Sequence, residues 1–331
     1  MPYDQQKPAH ATAANKESWL QHFPAPMFAI GMGTAGLGIA WRKAGQTLGV
    51  SPLMGEYIIG FAAALIALIT LTYLAKALLH RHNVAQEFNH PVRVNFFPGF
   101  SICLLLLSVG ALPHSKQLAF GLWSAGAIIH FSFTLTLIRR WITRNFEINH
   151  SNPAWFIPVV GNVIVPITGV KLGYMELSWM FFSIGILFWL ILFTIVFNRI
   201  IFHDQLPAKF IPTLFILIAP PSIGFISYVG LNAGIIDGFA RILFYSAFFI
   251  GLLMATMWKQ FLSVPFYISW WAYTFPLDAL SIATLEMGHI SHNPAISYIA
   301  PVILGITTVV VALVLIRTGI AIAKKTLFVP E

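Results

Sequence analysis

Ten runs of apolar residues follow one another through this chain, most of them long enough to cross a bilayer as helix. They cover approximately 24–43, 54–79, 94–112, 117–138, 154–172, 177–198, 208–231, 237–258, 263–287 and 295–322. A water-soluble fold with so much apolar sequence needs a charged shell, and this chain has none to give. Of its 331 residues 58% are hydrophobic and 9% charged, against about 25% charged in a soluble domain. In lipid each backbone donor must be satisfied inside the protein, so the runs are expected to be helices. The chain reads as an all-α polytopic membrane protein with ten transmembrane helices in five hairpins. Short loops hold most of the charge, and no linker divides the sequence. The expected organisation is a short polar N-terminus at 1–23 without a cleavable signal peptide, a ten-helix membrane domain at 24–322, and a tail at 323–331.

The prolines inside these runs alternate. The odd-numbered runs carry Pro24 and Pro26, Pro98, Pro158 and Pro166, Pro212 with Pro220 and Pro221, and Pro265 with Pro276. The even-numbered runs carry almost none, Pro301 in the tenth being the exception. Proline deletes a backbone donor and bends a helix. In lipid the carbonyl it frees needs a partner or a water-filled space. Five bent helices alternating with five regular ones predict an inner ring around a path and an outer ring facing lipid. An enclosed path is what a channel or a transporter needs.

Lysine and arginine orient the chain. With both termini and every second loop on one side, the other side holds only Arg42, Lys43, Lys116, Lys171 and Arg241 of the 19 basic residues. The positive-inside rule then places both termini in the cytoplasm, and the bias supports an even number of helices. The net charge of +8 is scattered over loops and not gathered on a face, which argues against nucleic acid as a partner.

The first run contains Gly31, Gly33, Gly36 and Gly38, costly in a helix and useful where a pore or a close helix contact needs space. Buried charge is scarce, unlike in a proton-coupled carrier or pump. Asp278 is the one deep carboxyl of the odd runs, with Glu286 and Lys171 near run ends. Asp278 is either a proton or substrate group or a helix-contact residue. Asp237 and Arg241 are spaced to pair across one helical turn. A nearly neutral path of amides, hydroxyls and ring edges suits anions that dehydrate easily, because conduction requires weak binding at several places. His289 and His292 lie in a loop with no third ligand, Cys103 is a small apolar-like residue, and no catalytic or phosphate-cradling motif is present. No enzymatic activity, cofactor or metal is assigned.

The stretch Ser269-Trp270-Trp271-Ala272-Tyr273-Thr274-Phe275-Pro276-Leu277 resembles the ninth helix of the tellurite-resistance/dicarboxylate transporter family, which includes bacterial TehA and the plant slow anion channels. The resemblance extends to His90-Pro91-Val92-Arg93, to Asn152-Pro153 through Val160-Gly161-Asn162, to Ile218-Ala219-Pro220-Pro221-Ser222, and in character to Phe28 through Trp41. It implies ten helices in five hairpins, a central pore in each subunit lined by the odd helices, and a homotrimer. It also implies a phenylalanine that closes the pore, which falls on Phe275. The long regulatory termini of the plant channel are not read here, so kinase-controlled gating is not carried over. The expected protein sits in a bacterial inner membrane and passes small inorganic anions such as chloride or nitrate. Phe275 is its gate, and Phe28, Gly31, Gly33, Gly36, Asn162, Pro220 and Ser222 are lining positions. Arg93 stands at the cytoplasmic mouth, where it attracts anions or anchors to lipid headgroups. The rival expectation is a carrier for a dicarboxylate or a tellurite-derived species, coupled to protons through Asp278.

Overall fold

The structure, a computed structural model, describes residues 18–328. Lys7, Lys16 and most of the polar N-terminus lie outside the described residues, as does the end of the tail. In chain order the α-helices are α1 (Phe28–Leu48), α2 (Leu53–Leu79), α3 (Arg81–Asn89), α4 (Gly99–Ala111), α5 (Lys116–Thr143), α6 (Ile157–Val160) and α7 (Val165–Gly169). They continue with α8 (Met175–Phe202), α9 (Ala219–Leu231), α10 (Gly238–Thr256), α11 (Trp258–Leu262), α12 (Thr274–Ser291) and α13 (Pro294–Ala323). Among the described residues all regular structure is helical, and seven helical stretches are long and apolar enough to cross a membrane. The protein is an all-helical, multi-pass membrane protein.

The alternation of prolines appears as an alternation of helix type. The even runs form α2, α5, α8, α10 and α13, single α-helices of 19 to 30 residues. Pro301 is accommodated within α13. Each odd run instead opens in 3-10 helix and continues as α-helix. The 3-10 pieces are Ala25–Met27, Arg93–Phe96, Pro153–Phe156, Ala208–Ile218 and Ile268–Tyr273, and the fifth run returns to 3-10 at Gly161–Ile164. Proline cannot donate to the i−4 carbonyl, so the ladder is interrupted where these residues cluster. The expected bend is thus spread over a stretch of narrower, more extended helix.

Burial follows the same division. The hydrophobic window of Ala208–Leu231 is 78% buried and that of Arg93–Ala111 61%, whereas the windows of the five even helices are 17–33% buried. The even helices expose Leu68, Leu71, Ile128, Leu187, Phe249 and Val309 along faces that only lipid suits. The remaining odd runs are less apolar because their surroundings are protein. Glycines and the Arg42-Lys43 pair interrupt α1, prolines break 153–169 into short pieces, and α12 carries Asp278 and Glu286. Each odd run packs against the regular helix that follows it, and α1 also packs on α4 and α12.

Two details differ from the sequence reading, and a third accords with termini on one side. Residues 81–89, taken as a loop, form α3. Glu87 fastens it: its carboxylate accepts from Lys76 Nζ at 2.8 Å, Tyr73 Oη at 2.9 Å and the Ala25 amide at 2.6 Å. Lys76 also donates to the Phe23 carbonyl at 2.8 Å. Second, Asp237 does not pair with Arg241. It caps α10 by accepting from the Ala240 amide at 2.9 Å, and it accepts from the Tyr228 hydroxyl at 2.5 Å. Third, the ring of Phe328 lies against Trp19 and Phe23, so the two ends of the described chain meet at one end of the molecule.

A candidate pore between the proline-bearing segments

A cavity of about 820 Å³ opens at the end of the molecule where Trp19 and Phe328 meet. All five odd runs line it, and of the even helices only Lys76, at the last turn of α2, reaches it. The wall is built from the 3-10 pieces and the turns that follow them. In 3-10 helix every third residue faces the same way. The row Thr213-Ile216-Ala219 follows that spacing, and Phe96, Gly99 and Ile102 line the cavity from the end of the 3-10 turn into α4. Met32 from the first run and Val160 and Ile164 from the fifth complete an apolar wall. Along the five runs the last lining residues are Met32, Ile102, Ile164, Ile223 and Pro276, and Phe275 lines the cavity next to the last of these.

Charge is confined to the mouth, where Lys76, Glu87, His90, Arg93 and Lys209 line the cavity. Lys76 and Glu87 form an ion pair, both side chains 4% exposed. Beyond the mouth the wall offers backbone, Thr213 and ring edges, but no ionised group. Such a surface lowers the cost of an ion's passage without trapping it. Among the described residues no group of three or more His, Cys, Asp or Glu converges as a metal site.

The sequence-derived positions divide. Phe275, Pro220 and Arg93 line the cavity. Phe28 is buried between the rings of Phe100 and Tyr73, and Ser222 donates to the Ile218 carbonyl within its own helix. Asn162 is fully buried and donates to Thr134 Oγ1 at 2.9 Å and to the Val159 carbonyl at 2.7 Å. The α1 glycines face other helices. A Cβ on Gly31 would meet Ile66 and Cys103, one on Gly33 would meet Thr274, and one on Gly36 would lie 2.6 Å from Asp278 Oδ2. Ala29 and Met32 supply the α1 contribution to the cavity wall. Asp278 is fully buried, and neither of its oxygens has a hydrogen-bond partner.

One polar group behind the wall was invisible in sequence. His130 is fully buried on α5, and its Nδ1 lies 2.9 Å from Ser101 Oγ, which itself donates to the Pro98 carbonyl. The other edge of the ring abuts Gly161, where no side chain would fit. A histidine within a regular apolar helix gives no sign that its partners lie on two proline-bearing runs.

The family model described as SLAC1, voltage-dependent anion channel, matches residues 22–319. The chain belongs to this family. The match agrees with the resemblance carried by the Trp-Ala-Tyr-Thr-Phe-Pro and Ala-Pro-Pro-Ser stretches, and the SLAC1 family is one of channels, not enzymes. Among relatives, the S-type anion channel SLAH2 of Arabidopsis thaliana is 27% identical over 307 residues, which are 90% of this chain and 59% of that protein. The guard cell S-type anion channel SLAC1 of the same plant is 27% identical over 284 residues, 82% of this chain and 51% of its own length. The tellurite resistance protein TehA homolog of Haemophilus influenzae is 24% identical over 271 residues, 81% of this chain and 82% of that protein. The chain thus spans about half the length of the plant relatives it matches.

Proposed function

We propose that this protein is an anion channel that passes small monovalent anions, such as chloride or nitrate, down their gradient through a pore in each chain. The observation that carries the reading is the cavity: five proline-bearing runs share one wall, and Phe275 is part of it near the end of the ninth run's contribution. A large apolar ring in a narrow conduit excludes hydrated ions, so Phe275 is the gate. The ten runs pair as five hairpins, the odd ones forming the inner ring and the even ones the lipid-facing ring. The membrane domain covers 24–322, with 1–23 and 323–331 cytoplasmic in a bacterial inner membrane. The assembly is a homotrimer with three separate pores. Arg93 draws anions to the mouth, and Pro220 shapes the wall. The packed positions Phe28, Gly31, Gly33, Gly36, Asn162 and Ser222 hold the inner runs in place behind it.

Reconstitution of the purified protein tests this. Phe275→Ala should raise single-channel anion current well above the wild type, with reversal potentials that follow the chloride gradient. A Phe275→Ala protein that conducts no more than wild type would remove the gate. Absence of anion current in both proteins would remove the channel.

The unpartnered carboxyl of Asp278 is the observation that favours a proton-coupled carrier of dicarboxylate or tellurite-derived species. Its position against Gly36, away from the cavity lining, supports the helix-contact role instead. Flux that requires a pH gradient and disappears in Asp278→Asn would decide for the carrier.

A further inference from the structure

The rows that line the cavity continue beyond its floor. Met32, Ile39 and Lys43 stand seven and four residues apart on α1; Phe275, Ile282 and Glu286 repeat the spacing on α12. Val160, Ile167 and Lys171 have the same spacing in the sequence of the fifth run, but there the 3-10 turn at Gly161–Ile164 and the end of α7 at Gly169 break the helix, so only the α1 and α12 rows keep to one helical face. Steps of seven and four keep a row on one face of an α-helix. Ile39, Ile167 and Ile282 are each partly accessible while both chain neighbours are buried, as expected for residues bordering an internal space.

The three rows end in charge, and the charges of the first two meet. Lys43 and Glu286 form an ion pair between α1 and α12, each side chain 21% exposed. Lys171 stands within electrostatic reach of Lys43. Among the described residues Lys171 has no ion pair or hydrogen bond of its own. Arg42, beside Lys43, is already committed: Glu56 is 2.7 Å from its Nε, and its guanidinium donates to the carbonyls of Val109 and Gly110 at 3.1 and 3.0 Å. Beyond the residues that line the cavity, two lysines and one carboxylate thus lie close together, with Arg42 also within electrostatic reach of Lys171. Lysine is a compact point charge without the fixed fork of arginine, suited to an anion of any shape. Two lysines without a counter-charge would hold an anion too firmly for passage.

We propose that Lys43 and Lys171 form an anion-binding station beyond the cavity, occupied at rest by Glu286 as a tethered counter-ion that a small inorganic anion displaces. The station rests on the channel reading for its purpose, but not for its detection. Glu286 and the incoming anion compete for the same ammonium groups. Removing its charge tightens anion binding, and removing a lysine charge weakens it.

Chloride-35 NMR line broadening by the purified full-length protein reads binding directly. Chloride titrations of flux in proteoliposomes read its consequence. Glu286→Gln should lower the half-saturating chloride concentration by about threefold or more, the size of one unit charge acting across ~6 Å of water. Lys171→Gln and Lys43→Gln should raise it by a similar factor, and Lys171→Arg should stay near wild type. Lys171 is exposed, so its substitution leaves the fold intact even if Lys43→Gln does not. Identical line broadening in wild type, Glu286→Gln and Lys171→Gln would overturn the station, whatever the flux. An ordered NMR series with no flux in wild type or Phe275→Ala would leave the station standing and remove the channel.

Discussion

Replacing Glu87 by alanine removes one side chain and unmakes three contacts. Glu87 is 4% exposed and accepts from Lys76, Tyr73 and the Ala25 amide. Truncation leaves the Lys76 ammonium, 3% exposed, with the Phe23 carbonyl as its remaining partner, and it orphans the Ala25 N–H. Breaking a buried ion pair from one side costs about 3–5 kcal/mol. A buried amide left without an acceptor adds about 1–3 kcal/mol. Replacing both charges together, Lys76→Met with Glu87→Leu, removes the unpaired ammonium and leaves chiefly the amide term. Apparent melting temperature in detergent, followed by tryptophan fluorescence at one scan rate, separates the two. Glu87→Ala should melt on the order of 10 °C below wild type, and the double variant should recover more than half of that loss. If Glu87→Ala melts with wild type, or the double variant melts no higher than Glu87→Ala, the pair does not hold the first run to α2 and α3 as argued.

Other expectations follow from the same contacts. Gly36→Val sets a Cβ 2.6 Å from Asp278 Oδ2, so α1 and α12 must part; overpacking of this kind costs about 1–3 kcal/mol. Asp278→Ala in the same chain should return part of the lost melting temperature. The Ala240 amide and the Tyr228 hydroxyl hold the Asp237 carboxyl below the usual carboxylate range. A carboxyl lowered by folding contributes stability above its unfolded value and loses it as pH falls through its folded value. Asp237→Asn, which keeps an amide oxygen for the cap but removes the titrating carboxylate, should therefore melt below wild type at neutral pH, and the gap should close as pH falls below about 4. Cys103 is fully buried, with Sγ 3.3 Å from the Phe28 carbonyl, so a maleimide should label it only on unfolding; rapid labelling of the folded protein would contradict the α1–α4 contact.

The inner runs were legible because proline acts locally: Pro98, Pro158, Pro212 and Pro276 each spoil a helical ladder wherever the chain goes. The division into buried odd runs and exposed even ones followed from that, whereas the family was legible in particular stretches, above all Trp-Ala-Tyr-Thr-Phe-Pro at 271–276 and Ala-Pro-Pro-Ser at 219–222. What proline does to a ladder was less legible, since bends and 3-10 helix answer the same missing donor. The glycines of α1 announced a need for space but not its occupant, because Thr274 and Asp278 stand about 240 residues away in sequence. Asp237 and Arg241 carried a helical spacing that the cap on α10 and Tyr228 overrode. Glu87 gave no sign of its role, since its partners come from the last turns of α2 and from the start of the first run, 62 residues away.

The long 3-10 piece at Ala208–Ile218 sets a counting rule for the wall it builds. A column such as Thr213-Ile216-Ala219 repeats every three residues and scarcely drifts around the axis, whereas an α-helical row winds away. One residue inserted before Thr213 would turn the column by about 120° and present a different set of side chains to the cavity. Three inserted residues would restore the same faces, shifted about 6 Å along the path. The cavity half of this segment is thus written in triplets, and length variation within it is tolerated in phase and punished out of phase.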